Sequence, residues 1–160
     1  QTAELESYQR AQALIIISDI VDKLNVNRNT ASCFRVTTTT SGTPYLGVGA
    51  TATPACTAST TAYNAQAVAT MTEISNLLQG TDAKLSGNNV GAMIGARACI
   101  SYDAATQIGG SAGTGEYTIA VSWQGMSVLA TPTNSCANGT YGNEGQRRTV
   151  AIKTRIANLN

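Results

Sequence analysis

Four cysteines carry the clearest chemistry in this sequence. Cys33, Cys56, Cys99 and Cys136 are widely spaced, no two of them form a Cys-x-x-Cys pair, and the chain contains no histidine. Zinc sites usually draw on such pairs and on imidazole, so a zinc site built from these four thiols fits the pattern poorly. Two of the cysteines lie in polar, turn-rich stretches, "TPACTAST" and "TNSCANGT", which are unusual surroundings for buried free thiols. The pattern favours two disulfides and an oxidising compartment.

The sequence offers no catalytic constellation. Without histidine, neither a Ser-His-Asp nor a Cys-His arrangement can be built. Asp19 and Asp22 lie about one helical turn apart, but such a pair is typical of a solvated helix face. No motif for a Ser-Lys dyad surrounds Lys23, Lys84 or Lys153, and no loop clusters carboxylates as a calcium site requires. We therefore expect a protein that is not an enzyme and that uses no metal or cofactor.

The last apolar segment of the chain carries a cluster of positive charge. Arg147, Lys153 and Arg155 alternate onto the outward face of a predicted strand, which makes them candidate contacts for DNA or for a protein partner. The net charge of the whole domain argues against DNA binding. Ten Lys and Arg residues are nearly balanced by nine Asp and Glu residues, so the net charge is only +1. Cations on a sheet edge also serve to prevent aggregation. We expect that nucleic acid is not a partner.

The composition indicates one domain with an uncharged surface. The chain has 160 residues, enough for one sizeable core, and only 12% of them are charged. Thr, Ser, Ala, Asn and Gly fill the polar positions, as is common in proteins outside the cytoplasm. No apolar run reaches the roughly 18 residues that a membrane-spanning helix needs.

The first element that must position these residues is a helix, predicted over residues 3–27. In "YQRAQALIIISDIVDKLNVNR" (8–28), apolar residues recur at intervals of three and four. We expect one row of them to enter the core: Leu14, Ile17, Val21 and Leu24. A second row lies beside it: Ala13, Ile16 and Ile20. No N-cap precedes the apolar pattern, which is typical of the later part of a longer helix.

The remaining elements predict an α+β fold. A Thr-rich stretch with Gly and Pro reads as an exposed loop, and a second helix is predicted over residues 61–79, with Gly80 at its C-terminal end. Three strands follow, at residues 92–102, 116–123 and 147–156. The last two alternate with a period of two, which indicates an antiparallel sheet with one buried face. We expect the first helix to cover that face and to contact its apolar positions: Ile119, Val121, Val150 and Ile152.

Several segments, taken in order along the chain, carry a family resemblance. They are "RAQALIIISDIVDKLNVNR", "YNAQAVATMTEISNLL" after Cys56, "GARACISYD" around Cys99, "GEYTIAVSWQG" with Trp123, and "CANGTYGNEGQRRTVAIKTRI". Together they resemble the soluble domain of a type IV pilus minor pilin of the PilV type. The 37–55 loop and the helix end "DKLNVNR" depart from the family pattern.

The resemblance implies the type IV pilin fold over residues 1–160. In that fold a long N-terminal helix packs on a small antiparallel sheet, and a second helix lies in the αβ-loop region. Residues 1–28 would be the C-terminal half of the pilin helix, 29–90 the αβ-loop, and 91–160 the sheet. A hydrophobic segment of membrane-spanning length would precede this domain in the mature protein.

The resemblance also implies a function, partners and a location. Such proteins are non-catalytic subunits that prime pilus assembly and sit at the pilus tip, with other minor pilins, the major pilin and the large tip adhesin as partners. They face the periplasm from the inner membrane, held there by the N-terminal segment, before they enter the extracellular filament. Two alternatives remain open: a minor pseudopilin of a type II secretion system, which shares the same plan, and a DNA-binding minor pilin.

The order of the elements favours one disulfide connectivity. Pairing Cys33 with Cys56 closes the loop between the two helices, and pairing Cys99 with Cys136 ties the first strand to the long connection before the last one. The other connectivities would link helix and sheet segments less locally. Each bridge would stabilise the fold by roughly 3–4 kcal/mol in the chain-entropy account.

Overall fold

The apolar period of the N-terminal segment produces a 25-residue helix, α1 (Thr2–Val26). In the computed structural model, residues 2–81, 84–85, 88–89 and 93–157 are described. The further helix and strands are β1 (Leu46–Gly47), α2 (Thr61–Thr81), β2 (Lys84–Leu85), β3 (Asn88–Asn89), β4 (Ile94–Asp103), β5 (Glu116–Gln124) and β6 (Arg147–Thr154). A short 3-10 segment, Arg28–Phe34, follows α1. The chain therefore has the expected α+β order, with a long N-terminal helix ahead of an antiparallel sheet.

The main sheet has four antiparallel strands in the order β1-β4-β5-β6. β4, β5 and β6 correspond to the three predicted strands; the predicted start of the first, at Ala92, lies outside the described residues. β1 was not predicted, because it is only two residues long and lies in the Thr-rich stretch that reads as an exposed loop. Its Leu46 is fully buried opposite Ala98 of β4, so this stretch supplies an edge strand as well as loop. β2 and β3 pair separately.

The buried face of α1 is rotated from the predicted one. Leu14 was predicted to enter the core, but its side chain is 48% exposed, whereas Ile17 is 1% exposed and Leu24 is fully buried. At 3.6 residues per turn, Leu14 lies about 100° around the helix from Ala13, which is central to the buried face. The core face consists of the predicted second row together with two members of the first: Ala13, Ile16, Ile17, Ile20 and Leu24. Val21 lies at its margin, partly buried.

One core joins both helices to the sheet. α1 packs on β5 and β6, and α2 packs on β1 and β4. The largest fully buried apolar side chain is Trp123 of β5, whose ring Nε1 donates to Gln9 of α1 (3.3 Å). Of the strand residues expected to meet α1, Ile119 and Val121 are buried, and Val150 and Ile152 are partly buried against the same cluster. A second, smaller cluster lies around the Cys99–Cys136 bridge.

The second helix begins where predicted and ends slightly later. Thr60 caps its first turn, because the Thr60 Oγ1 accepts a hydrogen bond from the backbone N–H of Tyr63 (3.2 Å). Gly80 was predicted to terminate the helix, but α2 continues through it to Thr81. The Thr81 hydroxyl donates to the carbonyl of Leu78 (2.6 Å), which satisfies one of the open carbonyls at the helix end.

Candidate interaction surface

Two disulfides fix the long loops to the helices and the sheet. Cys33 is bonded to Cys56, with a Cα–Cα distance of 5.3 Å, and joins the 3-10 segment to the loop before α2. Cys99 is bonded to Cys136, with a Cα–Cα distance of 5.7 Å, and joins β4 to the connection between β5 and β6. These are the two pairs that the element order favoured. All four cysteines are used, so none is left as a free thiol.

The Thr-rich loop and the β5–β6 connection contact each other beside the second disulfide. The backbone N–H of Ala137 donates to the carbonyl of Gly42 (2.9 Å), and the Ser135 hydroxyl donates to the carbonyl of Thr40 (3.1 Å). Gly42 has a φ of 75°, and a Cβ at this position would collide with the Ser135 carbonyl. The two loops therefore form one continuous surface on the face of the sheet opposite α1.

Arg148 connects the start of α1 to the β5–β6 connection. Its Nε and Nη2 donate to the carboxylate of Glu6 (2.9 Å each), and its guanidinium also donates to the carbonyls of Ser127 and Gly145 (2.8 Å each). The hydrogen bonds from Arg148 hold the pKa of Glu6 below its usual range. Since both side chains are largely buried, this pair fixes residues 125–129 against the helix.

Arg147 does not belong to an exposed cationic face. It was predicted to point outward as a DNA or partner contact, but it is 2% exposed. Its Nε donates to Glu144 (3.1 Å), and its Nη1 donates to the carbonyls of Asn134 (2.6 Å) and Cys136 (3.0 Å). The prediction of an outward cation was wrong because the β5–β6 connection folds back over this face of the strand.

The other two predicted contacts are exposed but form no common binding face with Arg147. Lys153 is exposed on β6. Arg155 is also exposed, and it donates to the carbonyls of Thr114 (3.1 Å) and Thr106 (3.0 Å) in the β4–β5 connection. Of the three predicted cations, only two are exposed, and one of these two already donates hydrogen bonds to backbone carbonyls.

Exposed apolar side chains concentrate on α1 and on the connection that Arg148 holds against it. On α1, Ile15 is 63% exposed and Tyr8, seven residues earlier, lies on the same outward stripe. On the connection, Val128 is 60% exposed. We use the name apolar surface for the exposed apolar side chains that lie within about 80° of one another on one side of α1, together with those of the connection. They are Leu5, Tyr8, Ile15, Met126, Val128 and Leu129.

The apolar surface is unusual in its chemistry for such a polar chain. Isolated exposed apolar residues need no explanation, but several along one helix and an adjoining fixed loop indicate a contact surface. In its middle turns, α1 has apolar side chains on the face that packs in the core and also on the face that is open to solvent. These turns are therefore apolar on nearly every side. A helix of that kind is normally buried on more than one side.

Sequence reasoning missed the connection residues of this surface. "GMSVLATP" (125–132) lies between strands in a turn-rich stretch, so its apolar run gave no helical or strand period to detect. The exposed residues on α1 were visible as the unbroken "ALIII" run, which is too apolar for one buried stripe alone.

None of the described helices combines the length and the hydropathy that a membrane-spanning helix needs. In the part of the chain that the structure describes, no group of three or more Cys, Asp or Glu side chains is placed to hold a metal ion.

Comparisons with known proteins give the chain no relative. It matched no protein-family model, no curated protein and no solved structure.

Proposed function

We propose that this domain is a non-catalytic minor pilin that primes assembly of a type IV pilus and forms part of the tip complex. The observation that carries the proposal is the apolar surface along α1, on the side that the sheet leaves uncovered. A pilin subunit enters its filament by packing its long N-terminal helix among those of its neighbours. A helix with one face in its own core and another open to solvent suits that role.

The fixed loops support a role in choosing partners. Loops held by disulfides and by buried Arg–Glu pairs on a sheet present a preformed surface, which lowers the entropic cost of binding. The net charge of +1 gives little long-range steering, so specificity must come from shape and hydrogen bonds at contact. The partners in this proposal are other minor pilins, the major pilin and the large tip adhesin.

The location in the proposal follows from the same chemistry. Two disulfides support an oxidising compartment, as expected for a domain that faces the periplasm and later the cell exterior. An N-terminal membrane segment would concentrate subunits in the inner membrane, so the isolated domains need only weak affinity for one another.

Deletion of the gene in the source bacterium tests this proposal. In a strain with no substitute set of minor pilins, we expect loss of surface pili and of twitching motility, with recovery when the intact gene is returned. Normal piliation and twitching in the deletion strain would contradict the proposal. If protein secretion failed instead, the pseudopilin alternative would replace it, and a defect confined to DNA uptake would favour a DNA-binding minor pilin.

A further inference from the structure

A cleft of about 270 Å³ lies at the end of the molecule where α1 finishes. The 3-10 segment Arg28–Phe34 forms one wall, and the β4–β5 connection and the residues that follow β6 form the others. The cleft is smaller than a typical drug-sized pocket of about 300–1,000 Å³, so a small group would fill it. Its lining is rich in polar side chains: Arg28, Asn29, Ser32, Arg35 and Gln107.

Arg35 is held in one orientation at this cleft. Its Nε and Nη2 donate to the Tyr117 hydroxyl oxygen (3.1 and 3.0 Å), and its guanidinium carbon lies 3.5 Å from the ring centroid of Tyr102. A guanidinium carries five N–H donors, and these two bonds use one on Nε and one on Nη2. The three others, including both on Nη1, have no partner in the part of the chain that the structure describes. The unused donors include the Nη1–Nη2 edge, which is the fork that binds two oxygens side by side.

Among the described residues, the cleft has positive charge and no negative counter-charge. Arg28 makes no hydrogen bond or ion pair with another described residue, and no carboxylate is among the described residues that line the cleft. Arg147 and Arg148 differ, because each pairs with a carboxylate, that of Glu144 and that of Glu6 respectively. Two guanidinium groups that have no carboxylate partner in the described part of the chain, one of them half-buried and stacked on a ring, form an arrangement that an anion would complete.

From this geometry we propose that the cleft binds an oxyanion, the carboxylate or phosphate group of a small ligand, between Arg28 and Arg35. The stacked Arg35 supplies a pre-oriented fork for two oxygens, and the exposed Arg28 supplies a second cation at the rim. The Ser32 hydroxyl lines the same cleft and is exposed, so it can donate to a further oxygen. This inference stands apart from the proposed function, because the cleft is distinct from the apolar surface.

Titration of the folded domain with simple anions, followed by amide NMR, tests the proposal. Sodium phosphate and sodium acetate are the probes, each added at fixed pH with sodium chloride keeping the ionic strength constant. We expect saturable shifts at the amides of Ser32 and Gly113 with at least one probe. Saturation by phosphate alone identifies a phosphate ligand, by acetate alone a carboxylate ligand, and by both the shared oxyanion chemistry.

Matched variants separate this site from general charge effects. Arg28→Gln removes an exposed cation of the cleft and should weaken binding about tenfold or more, since a charged hydrogen bond is lost. Arg35→Lys keeps the charge but removes the fork and should also weaken binding. Lys153→Gln removes one exposed charge from β6 and should leave binding unchanged. No saturable shift with either probe, or an equal loss in Lys153→Gln and Arg28→Gln, would overturn the proposal.

Discussion

At the scale of single residues, the most informative side chains are arginines whose roles the sequence does not reveal. Arg147 and Arg148 are adjacent in sequence, and their alternation on a strand sends them to opposite faces of the sheet. Both are buried and form an ion pair with a glutamate: Arg147 with Glu144, three residues earlier, and Arg148 with Glu6 of α1. A strand pattern predicts which face a side chain takes, but not whether a loop covers that face.

Replacement of Arg148 should be one of the most damaging single changes on β6. Arg148→Met leaves the largely buried Glu6 carboxylate without its arginine partner and removes the Arg148 hydrogen bonds to the carbonyls of Ser127 and Gly145, so we expect a loss of about 3–5 kcal/mol in the free energy of unfolding. Urea unfolding measures it. Lys153→Met, an exposed change on the same strand, is the control and should stay within about 0.5 kcal/mol. Equal, small effects of both variants would show that the Arg148–Glu6 pair does not hold this region.

Tyr141 should make the fold sensitive to alkali. Burial raises its pKa to about 12, and its hydroxyl donates to the Gly95 carbonyl (2.6 Å). A raised folded-state pKa gives stability that is complete below the ordinary value near 10 and is lost as the pH rises toward 12.

The Tyr141→Phe variant isolates that effect. At pH 8 it should cost about 1 kcal/mol, because one buried hydrogen bond is lost. Between about pH 10 and 12 the difference from the native protein should shrink, since the variant has no phenol at this position to ionise. Urea unfolding at pH 8 and pH 11 gives the comparison, and a difference that stays constant across this range would refute the assignment.

At the scale of elements, the sequence predicts the long regular ones well and the short ones poorly. α1, α2, β5 and β6 correspond to predicted segments because each carries an apolar period over eight or more residues, which has few alternative interpretations. β4 also corresponds to a predicted segment, although its apolar pattern is the least regular of the three strands. β1 could not be predicted, because two residues are too few to show an alternating apolar pattern. It is a strand only because it pairs with β4 in the folded molecule. The exact buried face of α1 could not be predicted either, because its middle turns are apolar on more than one side.

The rotated face of α1 gives a direct test at this scale. Ile17→Ala should cost about 2–5 kcal/mol, since it opens a cavity in the core. Leu14→Ala removes a similar volume from a half-exposed side chain and should cost far less, within about 1 kcal/mol. Thermal unfolding of both variants provides the measurement. Similar losses in the two would mean that the first predicted row, with Leu14 inside, describes the helix better.

At the scale of the whole molecule, the loops and the first helix form two different surfaces. The Cys99–Cys136 disulfide and the Gly42 turn fix the loops on one face of the sheet, while α1 carries the apolar surface on the other side of the molecule. The disulfide pairs could be predicted from element order because each joins segments that are close in the chain. The apolar surface could be predicted only in part, because its loop residues depend on how Arg148 holds the β5–β6 connection against α1.

The proposed function rests on α1 packing against neighbouring subunits, so the most direct measurement is co-purification of the intact protein with its proposed minor-pilin partners. The full-length protein, expressed in the source bacterium, would carry either Ile15→Asp on the apolar surface or Ile108→Asp in the β4–β5 connection. The two side chains are equally exposed, at 63% and 62%, so neither change should unfold the domain. We predict that Ile15→Asp loses the minor pilins and surface pili, while Ile108→Asp keeps both. Retention of partners and pili by Ile15→Asp at native levels would contradict the account.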